Sequence, residues 1–107
     1  MSEFKFSKKT DALFAAILSL KNKSECEAFF RDLCTVQELK DMSDRWQMVN
    51  FLKKGMPYRD IAEKLETSTT TVSRVSFWLK NGSGGYPLIW KRLNSHHGKF
   101  SSGKVLL

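Results

Sequence analysis

One stretch of 22 residues limits what this chain can fold into more than any other part of it. Residues 58–79 read YRDIAEKLETSTTTVSRVSFWL, and their apolar side chains recur at spacings of three and four in each half. That spacing is typical of one face of an α-helix, so the stretch predicts two short helices that pack together. The apolar residues of the pattern are Ile61, Ala62, Leu65, Val72, Val75 and Leu79.

The segment between the two halves predicts a tight turn. Ser68 is placed to cap the second helix, because a serine oxygen can accept a hydrogen bond from a first-turn amide. Ala62 is small enough to let two steeply crossed helices approach closely. Glu66 stands where such turns commonly have glycine. A residue other than glycine in the left-handed backbone conformation costs about 1 kcal/mol. These features predict a helix-turn-helix over residues 57–80, with an ordinary helical hairpin as the alternative.

The second helix of this pair has a polar outer face. With 3.6 residues per turn, its residues Thr70, Ser73, Arg74 and Phe77 point away from the apolar side. Hydroxyl and guanidinium groups on an exposed helix are suited to contact DNA phosphates and base edges. This face is therefore a candidate DNA-binding surface.

Further helices are predicted on both sides of the helix-turn-helix. Residues 1–9 are polar and basic and predict a flexible arm, and an amphipathic helix begins at Thr10. Capping boxes, in which a serine or threonine pairs with a glutamate three residues later, mark the next two helix starts. The pairs are Ser24 with Glu27 and Thr35 with Glu38. A long helix over residues 36–54 follows, and Gly55 is suited to end it.

The chain beyond Leu79 predicts a connector and one more short helix. The connector contains three glycines, and Pro87 lies near the first position of a helix that ends at residue 93. No segment shows the alternation of a β-strand, so we predict an all-α fold of about six helices. Residues 1–93 form one helical domain in this interpretation, and residues 94–107 form a flexible polar tail.

The long third helix predicts a homodimer. Its main apolar stripe includes Trp46 and Val49, yet Met48 and Phe51 lie on other faces. A helix that is apolar nearly all round must be covered from several sides, and a domain this small has few helices to do so. A second copy of the chain is the simplest cover.

The formal net charge of +7 is unevenly distributed. All 11 acidic residues lie at or before Glu66, and the 12 basic residues of that part leave a net charge of +1. The remaining 41 residues carry six basic residues and no acidic one. The second helix of the helix-turn-helix therefore opens a purely basic part of the chain, as binding to DNA phosphates requires. A soluble basic protein without such a partner is the alternative.

Enzymatic function finds no support in the sequence. The glycines after Lys80 lack the Gly-Lys-Ser/Thr of a phosphate-binding loop, and no nucleophile has a base beside it. His96 and His97 lie on the predicted tail, where a metal site would lack supporting groups. We expect no catalytic residue, no metal and no cofactor.

The cysteines and the hydropathy predict a reduced, non-membrane protein. Cys26 and Cys34 fall in one predicted helix with Cα atoms about 12 Å apart, too far for a disulfide, and are predicted to be buried thiols. No run of residues is long enough to span a membrane, and the first residues lack the apolar region of a signal peptide. We expect a cytoplasmic protein with no membrane partner.

Together these motifs resemble the Trp repressor family over about half the chain. The pattern K-K-G-M-P-Y-R-D-I-A-E-K-L, followed by T-x-S-R, the glycine connector and Y-P-L, is more specifically similar to the YerC/YecD-type branch. The resemblance implies an intertwined, two-fold symmetric homodimer with paired helix-turn-helix heads that acts as a bacterial transcriptional regulator. By position, it implies DNA contacts from Tyr58, Arg59, Thr69, Thr70, Thr71, Ser73 and Lys80.

The resemblance also implies a pocket for a tryptophan corepressor, and this chain departs from it. Thr35, Arg45 and Arg74 match positions that surround the ligand, but Val75 and Trp78 replace a glycine and a small residue of the repressor. Their side chains would occupy space that an incoming indole needs, and a packed interior relieves such overlap only at a cost. We predict that L-tryptophan is not the corepressor and that Trp78 fills the slot from within. Another small-molecule effector is left open.

The leading interpretation is a sequence-specific DNA-binding transcriptional regulator, such as a repressor, that acts as a homodimer on double-stranded DNA. The alternative is a protein-interaction module. In that case exposed Phe77 and Trp78 dock a protein partner, and the basic face binds without specificity.

Overall fold

The computed structural model describes residues 4–95, and over that range it consists of six α-helices without a strand. The helices are α1 (Lys8–Leu18), α2 (Lys23–Leu33), α3 (Val36–Lys53), α4 (Tyr58–Leu65), α5 (Thr69–Asn81) and α6 (Gly85–Asn94). The predicted all-α fold of about six helices is confirmed. The predicted tail beyond Ser95, with its two histidines, lies outside the described residues. None of the helices within residues 4–95 is long and apolar enough to cross a membrane.

The chain divides into two compact units at Leu39, and the first unit contains α1, α2 and the start of α3. Ser7 caps the start of α1: its hydroxyl accepts from the Thr10 amide at 3.3 Å, while the Thr10 hydroxyl accepts from the Ser7 amide at 2.7 Å. The rings of Phe6 and Phe14 lie 5.9 Å apart between centres. The prediction of a flexible arm is therefore wrong from Phe6 onward, where the chain packs on α1 and enters it.

The start of α2 also differs from the prediction. The Asn22 side-chain oxygen accepts from the Glu25 amide at 2.9 Å, and the Glu25 carboxylate accepts from the Lys21 amide at 2.9 Å. The capping box predicted at Ser24 and Glu27 is therefore wrong by two residues, since α2 has already begun at that point.

The junction of α2 with α3 confirms one prediction and corrects another. Thr35 and Glu38 form the predicted capping box, with amide-to-side-chain distances of 3.0 and 2.8 Å. Cys26 and Cys34 are both free thiols, as predicted, but Cys26 is exposed and Cys34 is only half-buried. The prediction of two buried thiols is wrong, because α1 and α2 bury no residue at all.

The second unit holds the hydrophobic core. Met48, Val49, Asn50 and Phe51 are buried one after another, so α3 is covered on every side at this point. Residues of α4 and α5 from the same chain supply much of that cover, so the stretch does not need a partner chain to bury it. The buried hydrophobic residues of the core are Met48, Val49, Phe51, Ile61, Ala62, Val72 and Val75.

Asn50 and Gly55 have unusual local environments in the last part of α3 and just beyond it. Asn50 is 0% exposed, and neither polar atom of its side-chain amide has a hydrogen-bond partner among the described residues. Gly55 takes φ +84 just after α3 and allows the chain to turn sharply toward α4. The predicted role of Gly55 as the residue that ends α3 is confirmed.

Candidate nucleic-acid interface

The turn between α4 and α5 is a Schellman motif. Glu66 adopts φ 57 and ψ 49, in the left-handed region. The Thr67 amide donates to the Ala62 carbonyl at 2.9 Å, and the Glu66 amide donates to the Glu63 carbonyl at 3.3 Å. A glutamate thus occupies the position that favours glycine, as the sequence predicted.

The two helices pack through the residues that the apolar spacing predicted. Ile61 and Ala62 of α4 and Val72 and Val75 of α5 are each no more than 5% exposed. Ser68 caps α5 with its hydroxyl. The helix-turn-helix is therefore present, and its polar residues are left to face outward.

The outward side of α5 is polar and basic. Thr70, Ser73, Arg74 and Phe77 are all exposed, as the helical period predicted, and Thr69 and Lys80 are exposed beside them. Asn81 and Lys80 end the helix, so a positive charge lies at its C-terminal end. No acidic residue follows Glu66 in the sequence, which leaves this helix without a carboxylate of its own.

The first turn of α4 lies against the middle of α5. Arg59 is exposed, whereas the Tyr58 hydroxyl donates a 2.6 Å hydrogen bond to the Ser76 hydroxyl. Ser76 is 3% exposed, and the sequence analysis did not identify it. Its position next to Val75 and four residues after Val72 was the signal that it faces α4.

A polar pocket of about 250 Å³ lies between α3 and the first turn of α5. The Asp44 carboxylate at this pocket accepts a 2.7 Å hydrogen bond from the Lys40 ammonium, and this bond raises the pKa of Lys40. Arg45 was predicted to face a ligand and Thr71 to face DNA, and both line this pocket. The residues that line it are Asp41, Asp44, Arg45, Met48, Thr67 and Thr71.

The other predicted ligand-pocket residues are not among those that line this pocket. Val75 is part of the core, and Arg74 is on the exposed side of α5. Thr35 caps α3 in the first unit. Trp78 is 44% exposed and lines a largely apolar groove of about 450 Å³. The residues that line this groove are Trp46, Trp78, Gly82, Ser83, Gly85, Tyr86 and Ile89, so none of the Arg45 pocket residues is among them.

Comparisons with known proteins agree with this architecture. Residues 8–94 match the family model of the Trp repressor protein, so the chain belongs to the Trp repressor family. It is similar to the uncharacterised protein YerC of Bacillus subtilis (strain 168), with 37% identity over 95 residues that cover 89% of this chain and 91% of YerC. The resemblance predicted from the sequence, to the family and to its YerC-type branch, is confirmed.

Two solved structures are similar to the chain in both fold and sequence. A TrpR-like protein from Eubacterium eligens ATCC 27750 is 41% identical with a TM-score of 0.78, over 81% of this chain and 90% of that one. A protein from Staphylococcus aureus, described as a candidate Trp repressor, is 42% identical with a TM-score of 0.79. That match covers 83% of this chain and 89% of the other.

Proposed function

We propose that this protein is a sequence-specific DNA-binding transcriptional regulator that acts as a homodimer, with α5 as its recognition helix. The observation that carries the proposal is the exposed polar and basic side of α5, on a helix that has no acidic residue. An α-helix of this kind fits the major groove of B-DNA, where hydroxyl and amide groups can read base edges.

The contact residues fall into two groups by chemistry. Arg59 and Lys80 carry the positive charges that neutralise phosphates and set the register on the duplex. Thr69, Thr70 and Ser73 carry hydroxyls, and the threonine methyl groups can contact the methyl group of thymine. Tyr58 and Thr71 complete the predicted set of DNA-facing residues. Thr71 is half-buried, so its contribution is smaller than that of its exposed neighbours.

The exposed apolar residues support a dimer. Single chains seldom leave many large apolar side chains in water unless another surface covers them. These residues come from the N-terminal segment, α1, α2, the start of α3 and α6. They are Phe4, Phe6, Phe14, Leu18, Leu33, Val36, Leu88, Ile89 and Leu93. A two-fold dimer would place two recognition helices about 34 Å apart, in successive major grooves.

A protein-interaction module is the second candidate. Phe77 and Trp78 are 52% and 44% exposed, and their rings make an edge-to-face contact with centres 5.1 Å apart. Exposed aromatic pairs are common at protein interfaces. In this case the loss of Phe77 would abolish a protein complex, while the loss of Thr70 and Ser73 would change nothing.

Selection of DNA from a random pool by the purified full-length protein, followed by footprinting on the selected site, tests the proposed function. We expect a two-fold symmetric consensus with two protected half-sites about 10 base pairs apart. A pool that yields no consensus, or protection that is indifferent to sequence, would overturn the proposal and favour the interaction module.

A further inference from the structure

One polar contact joins the two helices of the helix-turn-helix outside the apolar core. Tyr58 is the first residue of α4 and Ser76 lies in the second half of α5, and their hydroxyls are 2.6 Å apart. Tyr58 is 38% exposed and Ser76 is 3% exposed, so the bond runs from the rim of the surface into the core. Ser76 needs this partner because a buried hydroxyl without a hydrogen bond costs free energy.

The bond reaches the side of α5 that carries the proposed phosphate and base contacts. With 3.6 residues per turn, Ser73 and Lys80 lie one turn before and one turn after Ser76 on the same flank. Arg59 follows Tyr58 directly in the first turn of α4. The hydrogen bond thus ties the residue next to Arg59 to the flank between Ser73 and Lys80.

We propose that Tyr58 is a positioning residue: its hydroxyl acts through Ser76 to fix the start of α4 against α5, and it does not bind DNA directly. This inference rests on the proposed function and refines the role that the family resemblance implies for Tyr58. The apolar contacts between α4 and α5 are non-directional, so they resist separation of the helices better than rotation or sliding. A hydrogen bond has a preferred length and angle, and therefore selects one arrangement of Arg59, Ser73 and Lys80.

The test is a double-mutant cycle on the full-length protein with the DNA site that the wild type selects. Tyr58→Phe and Ser76→Ala should each weaken binding by about five-fold, the size expected for one lost hydrogen bond, and the double variant should bind no worse than either. The slope of log affinity against log salt should stay at its wild-type value, because no phosphate contact is lost. Arg59→Ala serves as the contrast and should reduce that slope by about one.

Tyr86→Phe is the matched control, since it removes a tyrosine hydroxyl from α6 rather than from the helix-turn-helix. It should leave DNA affinity unchanged. Weaker binding by Tyr58→Phe but not by Ser76→Ala would show that the Tyr58 hydroxyl acts on DNA without Ser76. Additive losses in the double variant would show that the two hydroxyls act independently. Unchanged binding in both single variants would show that the bond positions nothing. Each of these results would overturn the inference.

Amide hydrogen exchange separates this inference from the proposed function. The Ile61 amide donates to the Pro57 carbonyl at 3.1 Å, in the first turn of α4. In free protein, Tyr58→Phe and Ser76→Ala should both speed exchange of this amide several-fold, because the start of α4 opens more often. If the wild type binds no DNA, the proposed function fails while this measurement still decides whether the bond positions α4. Wild-type exchange rates in both variants would contradict the positioning role.

Discussion

Ser68 and Thr71 close the first turn of α5 on each other: the Ser68 hydroxyl accepts from the Thr71 amide at 3.1 Å and lies 3.1 Å from the Thr71 hydroxyl. Thr71 therefore takes part in the cap of α5, and it also lines the pocket that includes Arg45. Thr69 and Thr70 are exposed and have no part in this cap. Three β-branched residues in succession are unfavourable at a helix start, so we infer that the two outer threonines are there for a partner.

The capping of α2 gives a first prediction. Asn22→Ala should lower the free energy of unfolding by about 1 kcal/mol, because the Glu25 amide loses its acceptor. Ser24→Ala should be neutral or slightly stabilising, since Ser24 lies inside the helix and alanine is the better helix former. Urea denaturation at equal protomer concentration compares them. A larger loss for Ser24→Ala would place the cap at Ser24, where the capping-box pattern predicts it.

Glu66 offers a second prediction. Glu66→Gly should raise the free energy of unfolding by about 0.5 kcal/mol, because glycine adopts φ 57 without the steric cost that a side chain brings. Glu63 is an exposed residue within α4, and Glu63→Gly is the matched control. This change should lower the free energy of unfolding by about 1 kcal/mol. Thermal unfolding followed by circular dichroism measures both. Destabilisation by Glu66→Gly would mean that the glutamate side chain makes a contact that outweighs the backbone strain.

The buried amide of Asn50 leads to a third prediction. Its oxygen and nitrogen have no hydrogen-bond partner among residues 4–95, and unpaired buried polar groups cost about 1–3 kcal/mol each. Asn50→Leu should therefore stabilise the chain by about 1 kcal/mol. Urea denaturation of the two proteins checks this. A loss of stability instead would show that a group outside the described chain, such as a water molecule or a second copy, completes the hydrogen bonds of Asn50.

L-Tryptophan gives a fourth prediction. Val75 is 3% exposed and belongs to the core, and it follows Arg74 at the position where the resemblance to the repressor implies a glycine next to the indole. A core position that already holds a branched side chain accepts extra volume only with strain. Calorimetric titration of the protein with L-tryptophan at millimolar concentration should give no saturable heat. A saturable isotherm would contradict the prediction that the Val75 side chain leaves no room for the indole.

The bounds of α3 and the turn between α4 and α5 could be predicted from the sequence because local residue types mark them. Thr35 with Glu38 marks the start of α3 and Gly55 its end, while Ser68 and the end of the apolar spacing at Leu65 mark the turn between α4 and α5. At α2, by contrast, Asn22 and Ser24 each have a glutamate three residues later, so the capping-box pattern fits both. Local pattern alone cannot rank them; the structure shows that Asn22 is used.

The features of the candidate site also fall into two groups: some follow from the sequence, and others appear only in the packed structure. The helical period is enough to place Thr70, Ser73 and Arg74 on one exposed side of α5, since that depends only on local geometry. The partner of Tyr58 is 18 residues away in the chain, so only the packing of α4 on α5 reveals it. Trp78 illustrates the limit most clearly, because it lines the groove with Trp46 and Tyr86 rather than the pocket that holds Arg45.

One binding experiment tests the central claim most directly. It compares the wild type with a Thr70→Ala/Ser73→Ala double variant, each on the selected DNA site and on a scrambled duplex. Fluorescence anisotropy at fixed salt gives the affinities, and sedimentation confirms the association state of each protein. We expect the wild type to prefer the selected site by about a thousand-fold or more, and the variant to lose about ten-fold or more on that site alone. Equal affinity of the wild type for both duplexes, or unchanged binding of the variant, would contradict the assignment of α5 as a DNA-reading helix.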